Sequence, residues 1–237
     1  MCGRYTQTKA EEILRKRFRL SRVDGPVVPR YNVAPGQDAP VVVAEPGGHV
    51  LRPMRWGLVP EWAREARGTG HVNARADSLV EKPAFRDAFR ARRCLVPADG
   101  FYEWRKEGPR RVPLRYMVEG GELFALAGLF EAPRAPGEPP TFTIVTTEPN
   151  ALVSEVHDRM PVVLRPEDEE AWLDAKRGPD EVAPLLAPFP AERMEARRAS
   201  MRLNRPENDD AACLEEDAWE EPGAKTPAQR SLFDEED

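Results

Sequence analysis

The chain has 237 residues, 41% of them hydrophobic and 32% charged, enough for one sizeable core or two small ones, with one domain favoured. No run approaches the ~20 consecutive apolar residues of a membrane-spanning helix, and the start, Met1-Cys2-Gly3-Arg4-Tyr5, lacks the apolar stretch of a secretory signal. The net charge of −6 hides a split: residues 205–237 hold twelve Asp and Glu against Arg205, Lys225 and Arg230, a local −9 that leaves +3 on residues 1–204. An acidic tail on a mildly basic body permits a phosphate-binding face without requiring one. Three cysteines and three histidines stand singly, which excludes a disulfide framework and a zinc cluster and points to a reducing, cytoplasmic compartment.

Thr8-x-x-Glu11 reads as a capping box ahead of an amphipathic helix with Ile13, Leu14 and Phe18 on its apolar face. Asp24 to Ala39, rich in Pro and Gly, reads as an ordered loop. Val41–Ala44 and Val50–Trp56 form strands around the turn Pro46-Gly47-Gly48. Pro83 opens a helix whose Phe85 and Phe89, four residues apart, face the core. Strands follow at Cys94–Val96, Phe101–Arg105, Leu114–Glu119 and Leu123–Phe130, the last two joined at Gly120-Gly121, and the β pattern continues at Phe142–Thr146 and Val162–Leu164. Short helices are predicted at Asn150–Glu155 and, behind Pro166, at Glu167–Asp174. Strands outnumber helices without a regular βαβ alternation, so the fold class is α+β: one domain over residues 1–204 on a mainly antiparallel core flanked by short helices. Residues 205–237 lose apolar periodicity, gain charge and are expected to be a disordered acidic tail.

Cys2 is the most informative position. Initiator methionine is commonly removed before a small residue, and its loss would leave a free α-amine and a thiol on adjacent carbons. An α-amine titrates near ~8, against ~10.4 for lysine, so a useful neutral fraction exists at pH 7. That amine can attack an aldehyde to give a Schiff base, and the thiol can close onto the imine carbon as a five-membered thiazolidine. The plain alternative is a small buried residue near a terminus.

Six motifs occur in order: Met1-Cys2-Gly3-Arg4-Tyr5, Tyr31-Asn32-Val33-Ala34-Pro35-Gly36, Trp56-Gly57-Leu58-Val59-Pro60-Glu61-Trp62, Asn73-Ala74-Arg75-Ala76-Asp77, Cys94 through Trp104, and Val156-His157-Asp158-Arg159-Met160-Pro161. Together they closely resemble the SRAP family, the SOS-response-associated peptidases, across roughly residues 2–204. The resemblance implies a monomeric protein that binds single-stranded DNA, captures abasic sites and joins the nucleoid during DNA damage, with no cofactor or metal. The ring-opened abasic sugar is an aldehyde, the electrophile that a Cys2 aminothiol suits. Carried over by motif, Cys2 is the nucleophile, with Asn73, Glu103 and His157 around it. Glu103 becomes the general acid/base, its pKa raised by an apolar setting. His157 positions or protonates the sugar oxygen or imine, and Asn73 fixes the aminothiol or sugar by hydrogen bonds. Without the resemblance these three read as an exposed strand glutamate, a helix-capping histidine and a turn residue.

The same resemblance implies DNA contacts from Arg4, Arg75 and Arg159, a rim at Asn32 and Pro35, and a base-separating or base-stacking loop bracketed by Trp56 and Trp62. Core packing is the alternative for Trp56. The family's name also keeps open a cysteine-dependent autopeptidase. In the tail, Gln229-Arg230-Ser231-Leu232-Phe233 is similar to the pentapeptide by which bacterial replication proteins dock on the sliding clamp. Gln229, Leu232 and Phe233 would make the contacts, in an extended peptide mode; a chance Leu-Phe pair is the alternative.

Overall fold

The computed structural model describes residues 2–63 and 69–217. In chain order the elements are β1 (Tyr5–Gln7), α1 (Glu11–Phe18), β2 (Leu20–Val23), β3 (Arg30–Val33), β4 (Asp38–Glu45), β5 (Gly48–Trp56), β6 (Asn73–Arg75), α2 (Pro83–Ala91), β7 (Arg93–Ala98), β8 (Gly100–Glu107), β9 (Arg110–Val118), β10 (Phe124–Glu131), β11 (Thr141–Thr147), α3 (Ala151–Ser154), β12 (Met160–Pro161), β13 (Val163–Leu164), α4 (Glu169–Leu173), α5 (Pro179–Val182) and β14 (Met194–Arg198). This is the expected α+β architecture. No helix among the described residues is long and apolar enough to cross a membrane.

Two sheets carry the strands. The smaller runs β14-β9-β8-β1-β3, and the larger runs β12-β11-β10-β7-β4-β5-β2 with β13 and β6 attached at its side. Pairing is mostly antiparallel, but β5 also meets β11 in parallel through Arg55–Thr141 and Trp56–Phe142, which closes part of the larger sheet on itself. Strand alternation then sorts side chains between two cores. Val41, Val43, Met54, Trp56, Phe142 and Ile144 meet Cys2 and the smaller sheet's Tyr5, Phe101 and Tyr116 in one of them. In the other, Val42, Leu51, Leu95 and Val145 pack with Leu14, Phe18, Phe85, Phe89 and Trp172 from the helices.

Several expectations change under these tertiary contacts. Thr8 is not a helix cap: α1 starts behind Ala10 without a side-chain cap, because the Thr8 hydroxyl and backbone N–H both donate to the buried Asp99 carboxylate. Ile13 lies on the solvent side of α1, while Leu14 and Phe18 are buried. The Asp24–Ala39 region includes β3, whose edge pairing with β1 no local alternation announces. The strands either side of Gly120-Gly121 are not a hairpin; β9 belongs to the smaller sheet and β10 to the larger.

Residues 205–217 are folded rather than a disordered start to the tail. Asp209 pairs with Arg30 and accepts the backbone N–H groups of Tyr31, at 2.5 Å, and Asn32, at 2.8 Å. Asn32 is fully buried and donates Nδ2 to the carbonyls of Arg205 and Asn208 at 3.0 and 2.8 Å. Tyr102, Ala199, Leu203 and Cys213 form a small third core beneath this segment. Charge in the sequence therefore marked ion pairs and turns here, not solvation. The pentapeptide containing Gln229, Leu232 and Phe233 lies outside the described residues.

Replacing Asn32 by Ala leaves two carbonyls without their amide donor and opens a polar void. The expected loss is about 1–3 kcal/mol of folding stability, read from urea or thermal denaturation of the full chain.

Candidate active site

Strand β1 delivers the N-terminal residues to the centre of the molecule. It pairs with β8 at Tyr5–Phe101, and the Tyr102 N–H donates to the Arg4 carbonyl at 3.0 Å. Extending this antiparallel register brings Gly3 opposite Glu103, and the Glu103 charge acts on the Cys2 thiol. Cys2 has no solvent exposure and belongs to the core between the sheets, a cluster that Val72 and Val156 border. Those two residues directly precede Asn73 and His157, so the residues flanking the reactive set converge although their elements lie far apart in sequence.

The electrostatics differ from member to member. Burial, then the Glu103 charge, pushes the Cys2 thiol well above its usual range, while the α-amino charge and then the Arg4 backbone hydrogen bond act the other way. Burial raises Glu103 to about 7, opposed by the positive charge of the chain's α-amino group. A carboxyl that titrates near neutrality can both give and accept a proton. Burial and the α-amino charge lower the pKa of His157. Its Nδ1 accepts the Arg159 backbone N–H at 3.0 Å, which assigns the remaining proton of the neutral ring to Nε2. The equally short approach of Nδ1 to Asp158 is then a contact, not an ion pair, since Nδ1 has no hydrogen to share. Asn73 donates Nδ2 to the Val72 carbonyl, and its Oδ1 is buried with no hydrogen-bond partner among the described residues.

Strand β11 gathers the next group. Arg75 of β6 lies beside Thr146 on one edge, and Pro161 of β12 lies beside the same residue on the other. Arg159 donates Nη2 to the Thr146 carbonyl at 2.5 Å. Arg75 and Arg159 both reach Asp77 Oδ2, at 2.7 and 3.3 Å. Asn73 and Arg75, two residues apart on β6, share one strand face, while the intervening Ala74 is buried in the core.

The remaining expected DNA contacts sit in different settings. Trp56 is fully buried, stacked on Phe142 at 6.2 Å and edge-on to Tyr5 at 5.3 Å, with its indole N–H on the Val72 carbonyl. It is a core residue and offers no face to a base. Asn32 is likewise structural, for the reason given above. Arg4 turns toward the C-terminal segment, donating to the Leu203 carbonyl at 2.9 Å and lying 5.8 Å from the Trp104 ring. Pro35 is half-buried in the turn before β4, where the Gly36 N–H bonds the Trp56 carbonyl. Trp62, by contrast, is 65% exposed. Asp77 closes the Asn73–Asp77 motif, and nothing in its spacing shows that two arginines converge on it.

Cys2 is buried with the Glu103 charge acting on its thiol, and the chain's α-amino charge acts on both Glu103 and His157. The SOS response associated peptidase (SRAP) family model matches residues 1–206, and the chain belongs to that family. It is 40% identical over 222 residues to the abasic site processing protein YoqW of Bacillus subtilis (strain 168), covering 91% of this chain and 99% of that one. It is 32% identical over 226 residues to the abasic site processing protein HMCES of Gallus gallus, covering 81% of this chain and 67% of that one. Among solved structures, a protein from Bacteroides thetaiotaomicron superposes with a TM-score of 0.72 at 28% identity, over 91% of this chain and 97% of that one.

The Glu103 shift sets a pH dependence of stability. Its folded value of about 7 lies above the ordinary 4.5, so the protonated carboxyl favours the folded state; that contribution is full below 4.5 and lost as pH rises through 7. Glu103→Gln removes the titration, and the stability difference between the variant and the parent should grow by about 3 kcal/mol from pH 4 to pH 8 in the variant's favour. Denaturation curves of both proteins at the two pH values check this.

Proposed function

We propose that this protein traps ring-opened abasic sites in single-stranded DNA through Cys2 after Met1 is removed, forming a thiazolidine that holds the lesion covalently during replication. The observation that carries the reading is the pairing of a buried Cys2 with Glu103, whose pKa of about 7 suits it to proton transfer. The freed α-amine adds to the sugar aldehyde, and the resulting carbinolamine loses its hydroxyl as water to give an imine. The Cys2 sulfur then bonds to the imine carbon, its proton passing by way of Glu103 while the imine nitrogen becomes a ring amine. Capture thus expels one water and consumes no other reagent. Neutral His157, with Nε2–H as donor, is suited to a hydrogen bond on the sugar oxygen, and the unpartnered Asn73 Oδ1 to an N–H or O–H of the reacting group.

Arg75 and Arg159 supply positive charge beside this chemistry. Phosphate contacts read no sequence, which a lesion sensor needs because abasic sites arise in any context. A cysteine peptidase places other demands on the site: its thiol must be held as thiolate by a lowered pKa. Burial does the opposite to Cys2.

Intact mass after incubation with an abasic single-stranded oligonucleotide tests the proposal. The Met1-free protein should gain the oligonucleotide mass less one water, stable to heat. Cys2→Ser retains the amine but not the sulfur and should give only a hydrolysable imine; protein that retains Met1 should give no thiazolidine. A heat-stable adduct formed equally fast by Met1-retaining protein would overturn the mechanism, and cleavage of residues added before Cys2 would favour the peptidase.

Rates and affinities separate the roles. Glu103→Gln should slow adduct formation by about 10²–10⁴ with little change in affinity for undamaged single strands. Arg75→Ala and Arg159→Ala should weaken that affinity and flatten its salt dependence, as measured by fluorescence anisotropy across a salt series.

A further inference from the structure

Asp77 stands where the two arginines assigned to DNA converge. One oxygen, Oδ2, receives Arg75 Nη2 at 2.7 Å and Arg159 Nη1 at 3.3 Å, and Arg75 Nε also reaches the carboxylate, at 3.2 Å to Oδ1. An anionic oxygen bridging two guanidinium groups is the arrangement a DNA phosphate would take in the same place.

The carboxylate is not needed to hold Arg159. That side chain is only 13% exposed and is anchored by the Thr146 carbonyl at 2.5 Å and more loosely by the Thr146 hydroxyl at 3.4 Å. Arg75 differs: its side chain is 59% exposed, and the only hydrogen bonds of its guanidinium among the described residues are to Asp77. Asp77 is itself half exposed and lies in the single 3₁₀ turn Ala76–Ser78, so a rotamer change takes its carboxylate into water. An exposed ion pair of this kind contributes little to stability, yet its negative charge sits against any incoming phosphate.

Resting on the reading that the protein binds single-stranded DNA, we propose that Asp77 is an internal phosphate mimic: it occupies the Arg75–Arg159 pair in the free protein and must be displaced by a strand phosphate on binding. Competition of this kind weakens the hold on undamaged strands, where phosphate contact is the whole interaction. At an abasic site the covalent step captures the lesion whatever the strength of the first encounter. Asp77 thereby sets the discrimination between lesion and ordinary strand without touching the reacting atoms.

The test titrates a labelled oligothymidylate with full-length protein across a sodium chloride series, alongside adduct formation on an abasic oligonucleotide. Asp77→Asn should bind the undamaged strand roughly threefold to tenfold more tightly at low salt, the scale of one carboxylate–phosphate repulsion near 5 Å in water. Its salt slope should steepen by about 0.7, the increment for one further neutralised phosphate, while adduct formation on the abasic strand should gain less than binding to the undamaged strand does. Asp77→Glu keeps the charge and should stay near the parent.

Asp24→Asn is the control for net charge. Asp24 pairs with Arg22 in the same two-residue spacing, at 2.7 Å, but at the end of β2, and its neutralisation should leave both affinity and slope near those of the parent. If Asp77→Asn binds equally or more weakly while Arg75→Ala weakens binding, Asp77 positions Arg75 and the mimic proposal is overturned. An equal gain in Asp24→Asn overturns it as a bulk charge effect. Absence of single-strand binding by the parent protein shows separately, before any variant is compared, and overturns both readings.

Discussion

The Asp99 carboxylate has no solvent exposure at the junction where β7 of one sheet becomes β8 of the other. It accepts the Thr8 backbone N–H at 3.1 Å and the Thr8 hydroxyl, and it meets Arg115 at 3.2 Å with Lys9 at 3.9 Å. Its backbone N–H donates to the Thr6 carbonyl at 2.9 Å. Arg115 also donates to the Thr6 hydroxyl and to the Asp99 carbonyl, at 3.2 and 3.0 Å. A β-carbon on Gly100 would lie 2.5 Å from the Arg115 Nε, so only glycine lets this node close. A charge buried so deeply is tolerable only with partners on every side, and removing one partner of such a group costs about 3–5 kcal/mol. The node matters because β1 has only three residues and could not hold its own register. With its exit pinned at Asp99, the strand projects Cys2 to a defined depth beside Glu103.

Glu103 and Asp77 show how far environment separates two carboxyl groups of one chain. Glu103 is buried and shifts upward to about 7. Asp77 is half exposed and held below the usual carboxylate range, chiefly by its hydrogen bond from Arg75. The first is matched to moving protons and the second to remaining charged against guanidinium groups. The same side-chain chemistry therefore yields a carboxyl that titrates near neutrality and a counter-ion to two guanidinium groups. The difference lies in solvent: β8 carries Glu103 into the interior, whereas the 3₁₀ turn after β6 leaves Asp77 at the surface.

A third layer completes the frame on the outer side of the smaller sheet. Residues 199–214 cover Tyr102, and the Tyr102 hydroxyl donates to the Tyr31 carbonyl at 2.9 Å. Asn32 and Asp209 then bind this segment to β3 through backbone groups that an edge strand would otherwise leave unpaired. Asn32, expected at a DNA rim, and Arg4, expected at a phosphate, both attach this layer to the strands beside Cys2. Their link to function passes through the position of β1.

Local chemistry was readable wherever neighbours in sequence decide it. The Pro46-Gly47-Gly48 turn between β4 and β5, Pro83 at the start of α2 with Phe85 and Phe89 inward, and the strands around Cys94, Phe101 and Phe142 all follow from turn residues and periodicity. So does the aminothiol chemistry open to Cys2, which depends on two adjacent atoms of one residue. Local pattern was silent or misleading wherever a distant partner outbids it. Thr8 caps no helix because Asp99, 91 residues away, takes its hydroxyl; Trp56 became core because Tyr5 and Phe142 enclose it. The run at 205–217 is ordered because Arg30 and Asn32 claim its polar groups. By itself the sequence determined which functional groups exist and how short segments bend. The tertiary structure alone decided which of them lose water and which meet, and therefore that Glu103 titrates near neutrality while Asp77 bridges two arginines: burial and through-space charge depend on neighbours that chain order does not specify.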